Sequence, residues 1–332
     1  MTDAYRDAGV DVTRGYRALD LMRAHIASTR IPGVVGSVGG FSGLFDIGDG
    51  RYLAAGADGV GTKLKLAALA GRYDTVGIDC VAMCVNDVVC CGARPLFFLD
   101  YYASGRTDPA RVADVVAGVA AGCTQAGCAL LGGETAEMPG VYGEGDFDLA
   151  GFAVGMVEAG NLWDAPAGMR PADLLIGLAS SGPHSNGFSL IRRVFDEQQL
   201  IGDPHLLDSL LEPTRIYVRP VLALASQLGD CVRGAAHITG GGFFENIPRL
   251  LGPGLAARID RAAIRIPPVF GEIAAAGHIG EHDMFATFNM GVGMIVAVSP
   301  TAASQALDVL GEAGVEASIV GDVVPGDGEV RL

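Results

Sequence analysis

Residues 51–70 read Arg-Tyr-Leu-Ala-Ala-Gly-Ala-Asp-Gly-Val-Gly-Thr-Lys-Leu-Lys-Leu-Ala-Ala-Leu-Ala. Residues 51–57 have the pattern of a strand and Leu64 to Ala70 that of a helix. Asp58-Gly59-Val60-Gly61-Thr62-Lys63 is therefore a glycine turn joining strand to helix. Such a turn gathers backbone N–H groups at the positive end of a helix dipole, and Lys63 adds a point charge. Asp58, at the strand end, is placed to meet a metal. The stretch is not a Walker P-loop, because the four-residue gap between that motif's glycines is missing. Taken alone it reads equally well as a tight turn or as a phosphate cradle.

Working outward, residues 75–91 form a strongly apolar helix carrying Val76, Ile78, Val81, Met83, Val85, Val88 and Val89. Its only strongly polar side chains are Asp79, Asn86 and Asp87. Asp79 and Asn86 lie two helical turns apart and share a face, with Asp87 one step round. A carboxylate on a buried helix needs a partner, since an unpaired buried charge costs several kcal/mol. Mg²⁺ or another cation would serve; the alternative is a solvent-facing edge. A strand at 96–102, a helix at 109–126 opened by Asp108-Pro109, a short strand at 128–131 and another at 148–157 follow. Upstream, residues 1–15 read as an irregular arm and 16–29 as a helix with Leu19, Met22 and Ile26 at helical spacing. Residues 33–43, with five glycines, form either a lid or a surface hairpin.

Residues 158–172 dilute the apolar pattern and hold two prolines, which places the domain junction there, with domains at 1–165 and 166–332. The second domain is expected to run through strand 173–180, helices 187–200 and 214–228, strand 235–239, helix 243–251, a strand or loop near 257–266, helix 268–276, strand 291–298, helix 300–313 and a last strand near 316–324. The alternation makes the fold class α/β (α+β) in two domains.

Four further stretches carry polar groups at turns. Leu130-Leu131-Gly132-Gly133-Glu134-Thr135 ends a strand and presents Glu134 where open α/β sheets keep ligands. Ser180-Ser181-Gly182-Pro183-His184-Ser185-Asn186-Gly187 places hydroxyls, an imidazole and an amide before a helix, though Ser185 or Asn186 would also suit a helix cap. Thr239-Gly240-Gly241-Gly242-Phe243 repeats the strand–glycine–helix theme and suits phosphate. Phe288-Asn289-Met290-Gly291-Val292-Gly293 runs into a buried strand, where a bulge is as good a reading.

The whole composition narrows the class. The 332 residues exceed one ordinary core, half are apolar and 18% are charged, so two well-buried domains are expected. The net charge of −15 argues against nucleic-acid binding but is compatible with a metal-bridged phosphate ligand. Lys63 and Lys65 are the only lysines. The seven cysteines include no Cys-x-x-Cys pair, which fits reduced, buried thiols. No secretory signal and no membrane-length apolar run is visible, so a soluble, cytoplasmic protein is expected. Residue chemistry alone reaches a metal-assisted phosphate-ligand site and no further.

Eight stretches, at 7–11, 58–63, 77–87, 95–102, 132–140, 181–187, 239–243 and 288–294, resemble in order the signatures of the phosphoribosylformylglycinamidine cyclo-ligase family, also called aminoimidazole ribonucleotide synthetases. The resemblance implies an N-terminal sheet domain that pairs into a homodimer, and ATP with Mg²⁺ bound near that seam. It implies ring closure of 5-phosphoribosylformylglycinamidine. It assigns Asp58, Asp87 and Glu134 both to the metal and to the nucleotide side of the site. Arg6, Gly59, Gly61, Thr62 and Lys63 go to the nucleotide, with Lys63 as a phosphate contact. Lys63, His184 and Asn186 go to catalysis, and Ser185 with Gly240, Gly241 and Gly242 to substrate. Arg6 stands where the family usually has lysine, which keeps the charge but changes donor geometry. The alternatives are another ATP-dependent member of the superfamily or a non-catalytic nucleotide-binding scaffold.

Overall fold

The computed structural model describes residues 12–36 and 39–332. Arg6 and residues 7–11 lie outside them, as do Ser37 and Val38 of the glycine-rich stretch. Two six-stranded sheets divide the chain. The first is built from β1 (Val34–Val35), β2 (Gly43–Gly48), β3 (Arg51–Gly59), β4 (Arg94–Ser104), β5 (Ala129–Glu137) and β6 (Phe147–Glu158), in the order β1-β2-β3-β6-β4-β5. Helices α1 (Val12–Ser28), α2 (Lys63–Ala70), α3 (Asp74–Val89) and α4 (Pro109–Ala126) belong to this half.

After the short α5 (Ala165–Gly168), the second half contains β7 (Leu174–Ala179), α6 (Phe188–Val194), α7 (Glu197–Gly202), α8 (Pro204–Leu211), α9 (Val218–Leu228), β8 (Val232–His237), α10 (Gly242–Asn246), β9 (Leu255–Ile259), α11 (Pro268–Gly277), α12 (Glu281–Thr287), β10 (Val292–Val298), α13 (Ala303–Glu312), β11 (Ala317–Pro325) and β12 (Val330–Arg331). Its sheet order is β12-β9-β11-β7-β10-β8. Strand pairs are antiparallel except β4–β5 and β9–β12. The mixed two-domain α/β class stands. Strand β3, which carries Asp58 near its end, is antiparallel to both neighbours.

Helix α3 is the centre of the first domain. It lies on the inner face of β3, β4 and β6, and α4 covers it. Gly77 and Gly118 let the two helices meet backbone to backbone. A Cβ on Gly77 would fall 2.2 Å from the Val115 carbonyl oxygen, and one on Gly118 1.9 Å from that of Asp74. Helix α4 starts where Asp108 accepts the Ala110 N–H at 3.0 Å, with Pro109 in its first turn, and ends at left-handed Gly127.

The opposite face of this sheet is uncovered around Leu99, Phe152 and Leu131, which are 38, 46 and 64% exposed. Leu99 and Phe152 are register partners on β4 and β6. Nearby, α1 and the same sheet border an open, mostly apolar cleft of about 620 Å³ lined in part by Ile26, Val34, Leu44, Phe45, Leu53 and Val154.

Several elements differ from the sequence expectation. Strand β5 continues through Gly132, Gly133 and Glu134 to Glu137, so Glu134 is inside a strand and not beyond its end. An edge strand tolerates the glycines that read as a break. The single helix expected at 187–200 is two, because Asp196 and Gln199 form a capping box that starts α7. The helix expected from 214 begins only at Val218, leaving 212–217 irregular. Helices α8 and α12 were not foreseen.

Candidate active site

The polar residues of α3 face the second domain. Asp79 and Asn86 are fully buried, and neither is a solvent-facing edge. Lys63 reaches Asp79 at 3.0 Å to Oδ1 and 2.9 Å to Oδ2, and donates to the Glu212 carbonyl at 2.8 Å. Asp79 Oδ1 also accepts from the Thr214 N–H and hydroxyl. The cation that Asp79 needs is thus Lys63, and no Mg²⁺ is required there. The resemblance implied a phosphate contact for Lys63; in this structure it is directed to Asp79 and Glu212. Its ammonium is sealed from solvent, committed to Asp79 and Glu212, and 5.6 Å from the centre of the Phe188 ring. Burial pushes its pKa down, against the pull of Asp79.

Asp58 projects from β3 toward α3. The Gly59 N–H donates to its Oδ1 at 2.8 Å. Burial, and then the charge of Asp87, push the Asp58 carboxyl up to about 6. Asp87 Oδ1 lies 2.8 Å from Nδ1 of His237, which is fully buried at the end of β8. His237 was missed in the sequence. The available signal was a polar residue closing an apolar strand just before the Thr239–Gly242 turn.

Glu134 lies elsewhere. Asp58, Gly151, Asp100 and Gly133 form one register row across β3, β6, β4 and β5. A Cβ on Gly151 would meet Cys80 of α3, so that row faces the helix. Glu134 is one residue on, and side chains alternate along a strand, so it points to the uncovered face. It is also three strands from Asp58, about 14 Å at ordinary strand spacing. The expected trio of Asp58, Asp87 and Glu134 does not share one ion within this chain. Among the described residues no group of three or more His, Cys, Asp or Glu could hold a metal. Asp58 and Asp87 remain as a like-charged pair, which suits a Mg²⁺ that takes its other ligands from phosphate and water.

The Ser181–Gly187 segment docks against α3. Asn186 Nδ2 sits 4.0 Å from Met83 Sδ, and Met83 is one turn from Asp87 on the same side of α3. Gly240 adjoins Asn186: a Cβ there would lie 3.4 Å from its Oδ1. Buried Asn246 donates to the Gly240 and Gly242 carbonyls at 3.2 and 2.8 Å and fixes the turn. Gly242 could not be replaced, since its Cβ would fall 2.0 Å from the Phe285 carbonyl oxygen. Ser185 Oγ lies 3.1 Å from Thr214 Oγ1. Neither Ser185 nor Asn186 caps α6, which starts after left-handed Gly187 without a side-chain cap. Asn289 ties the last motif in, accepting from Ser180 Oγ at 3.0 Å and donating to the Gly182 carbonyl at 2.9 Å. Thr62 Oγ1, beside left-handed Gly61, meets Ser189 Oγ at 3.2 Å across the domains.

His184 is placed differently from an exposed loop histidine. It is fully buried at φ +61°, with Nε2 accepting the Ser181 N–H at 3.3 Å and Nδ1 unbonded. Burial, then the nearby His237, Lys63 and Arg215, hold its pKa well below the usual histidine range, so the ring is neutral.

Two family models cover the chain: AIR synthase related protein, N-terminal domain, over residues 39–157, and the corresponding C-terminal domain over 170–332. A curated phosphoribosylformylglycinamidine cyclo-ligase of Geobacillus thermodenitrificans is 51% identical across 99% of this chain and 97% of its own. The chain belongs to the phosphoribosylformylglycinamidine cyclo-ligase family. The cyclo-ligase of Bifidobacterium animalis subsp. lactis is 50% identical over 98% of this chain and 97% of its own. Kinship of this extent makes the chain a ligase of the cyclo-ligase family. More distant structures share the fold alone. The Thermus thermophilus protein tt0281 superposes with TM-score 0.66 at 21% identity, covering 93% of this chain and 95% of its own. T. maritima PurL complexed with ADP gives 0.61 at 18%, covering 88% of this chain and 43% of its own. Among the described residues no helix is long and apolar enough to cross a membrane.

Proposed function

We infer that the chain closes 5-phosphoribosylformylglycinamidine to 5-aminoimidazole ribonucleotide with consumption of ATP, in purine biosynthesis. The observation that carries this to particular residues is the seam. Asp58 and Asp87 lie together in one domain, Asp87 pairs with His237 of the other, and one turn along α3 Met83 meets Asn186, which adjoins Gly240.

A formamide carbonyl is a poor electrophile. Transfer of the γ-phosphoryl group to its oxygen, with ADP leaving, creates a leaving group. The amidine nitrogen of the same molecule then attacks that carbon, loses a proton and expels phosphate. Holding both ends in one site supplies much of the rate. Asp58 and Asp87 would hold Mg²⁺, which when bound offsets charge on the transferring phosphoryl group. Asn186, Ser185 and the Gly240–Gly242 turn would orient the ribonucleotide. His184 and Lys63, being sealed from solvent, would act on these groups from behind.

Assembly as a homodimer through the uncovered face of the first sheet fits its exposed apolar residues. Glu134 would then lie at the pairing face, where the nucleotide would meet both subunits. The test is ATP turnover by purified protein, which should depend on phosphoribosylformylglycinamidine. Equal turnover without it would overturn the reading.

A further inference from the structure

Residues 212–217, Glu-Pro-Thr-Arg-Ile-Tyr, belong to the second domain but form neither helix nor strand. Buried backbone groups in such a segment must find partners elsewhere. The first domain supplies them with side chains. Lys63 Nζ donates to the Glu212 carbonyl at 2.8 Å. Asp79 Oδ1 accepts from the Thr214 N–H at 2.8 Å and its hydroxyl at 2.6 Å. Asn86 donates to the Arg215 carbonyl and accepts the Tyr217 N–H, both at 2.9 Å. With one acceptor and one donor taken two residues apart, the Asn86 amide does the work of a neighbouring strand's peptide group.

The other side of the segment grips the site loop. The Pro213 carbonyl accepts from Ser181 Oγ at 2.6 Å, and Thr214 Oγ1 meets Ser185 Oγ at 3.1 Å. Tyr217 OH and Arg215 Nη1 both donate to the Ala179 carbonyl, at 2.9 and 3.2 Å. The Tyr217 ring stands beside His184, with centroids 6.2 Å apart.

We propose that residues 212–217 are a strap that transmits the position of α3 to the Ser181–Asn186 loop. Lys63, Asp79 and Asn86 are then positioning residues that act through the strap, with Thr214 as the link between domain and loop. The proposal rests on the reading that Ser185 and Asn186 serve the cyclo-ligase substrate.

Thr214→Val removes the hydroxyl shared between Asp79 and Ser185 but keeps the shape and the N–H. Its kcat should fall on the order of 10-fold with KM for ATP within about twofold of wild type, the pattern of an interaction needed only in the transition state. Thr214→Ser, which restores the hydroxyl, should recover most of the loss. In the valine variant, amide exchange across residues 181–186, read by mass spectrometry without nucleotide or substrate, should quicken about 10-fold. Unchanged exchange in the valine variant overturns the strap whatever the enzyme's substrate, as does a kcat equal to wild type. Failure of the wild type to turn over phosphoribosylformylglycinamidine would instead sink the functional reading and leave the exchange result to decide the strap.

Discussion

Lys63 and Asp79 form an ion pair closed to water, with Nζ 2.9 Å from Oδ2 and both side chains fully buried. Removing one member of such a pair strands the other in a poorly solvating site. Lys63→Met should therefore lower stability by about 3 kcal/mol in urea unfolding at pH 7. Adding Asp79→Asn to it removes the stranded charge but still accepts the Thr214 N–H, and should regain part of that loss. A single variant as stable as wild type would contradict the buried pair.

Asp58 gives a pH signature. Its folded value, about 6, lies above the ordinary 3.8, so the folded protein holds this proton more tightly than the unfolded chain. The resulting stability is full below 3.8 and lost as pH rises through about 6. Without Mg²⁺, Asp58→Asn should be more stable than wild type at pH 7.5, by on the order of 1–3 kcal/mol, and the difference should vanish below pH ~4. Mg²⁺ with ADP should raise the melting temperature of wild type and not of the variant. Equal stabilisation of both would remove Asp58 from the metal site.

His184 has the opposite sign. Its folded pKa lies below the ordinary 6.5, so its stability is present above that value and lost as pH falls below it. Asparagine tolerates the left-handed φ at this position. His184→Asn should flatten the acid limb of the stability curve between pH ~6.5 and ~5. The pH–rate profile should keep its shape. Loss of one limb of that profile would make His184 an acid or base after all.

What was legible follows from how local each signal is. Helix α4 was readable to the residue because Asp108-Pro109 and Gly127 are punctuation within one turn of its ends. Helix α3 was readable because its apolar run is long. Strand β5 was cut short because Gly132-Gly133 looks like a break, and only its place at a sheet edge makes the glycines harmless. The polar face of α3 announced that Asp79 needed a cation. Nothing local said that the cation was Lys63 or that Thr214, 135 residues away, would share it. The same long-range pairing hid His237 behind Asp87. The family resemblance grouped Glu134 with Asp58, and only strand register shows that they face opposite ways.

The uncovered sheet face makes assembly testable. Phe152 and Leu99 are adjacent on it, and a charge there should block a two-fold pairing without touching the inner core. Light scattering at micromolar concentration should show wild type as a dimer and Phe152→Asp as a monomer with a near-normal circular dichroism spectrum. A wild type that is monomeric and fully active would contradict a site shared across that face.

The measurement that reaches the centre of the account follows the formyl oxygen. Substrate labelled with ¹⁸O at that position is incubated with ATP, Mg²⁺ and purified protein, and the products are read by mass spectrometry. Aminoimidazole ribonucleotide, ADP and inorganic phosphate should form in equal amounts, with the label in the phosphate, because the oxygen is phosphorylated before it leaves. ATP hydrolysis that yields no imidazole product, or ring closure that leaves the label in water, would contradict the account.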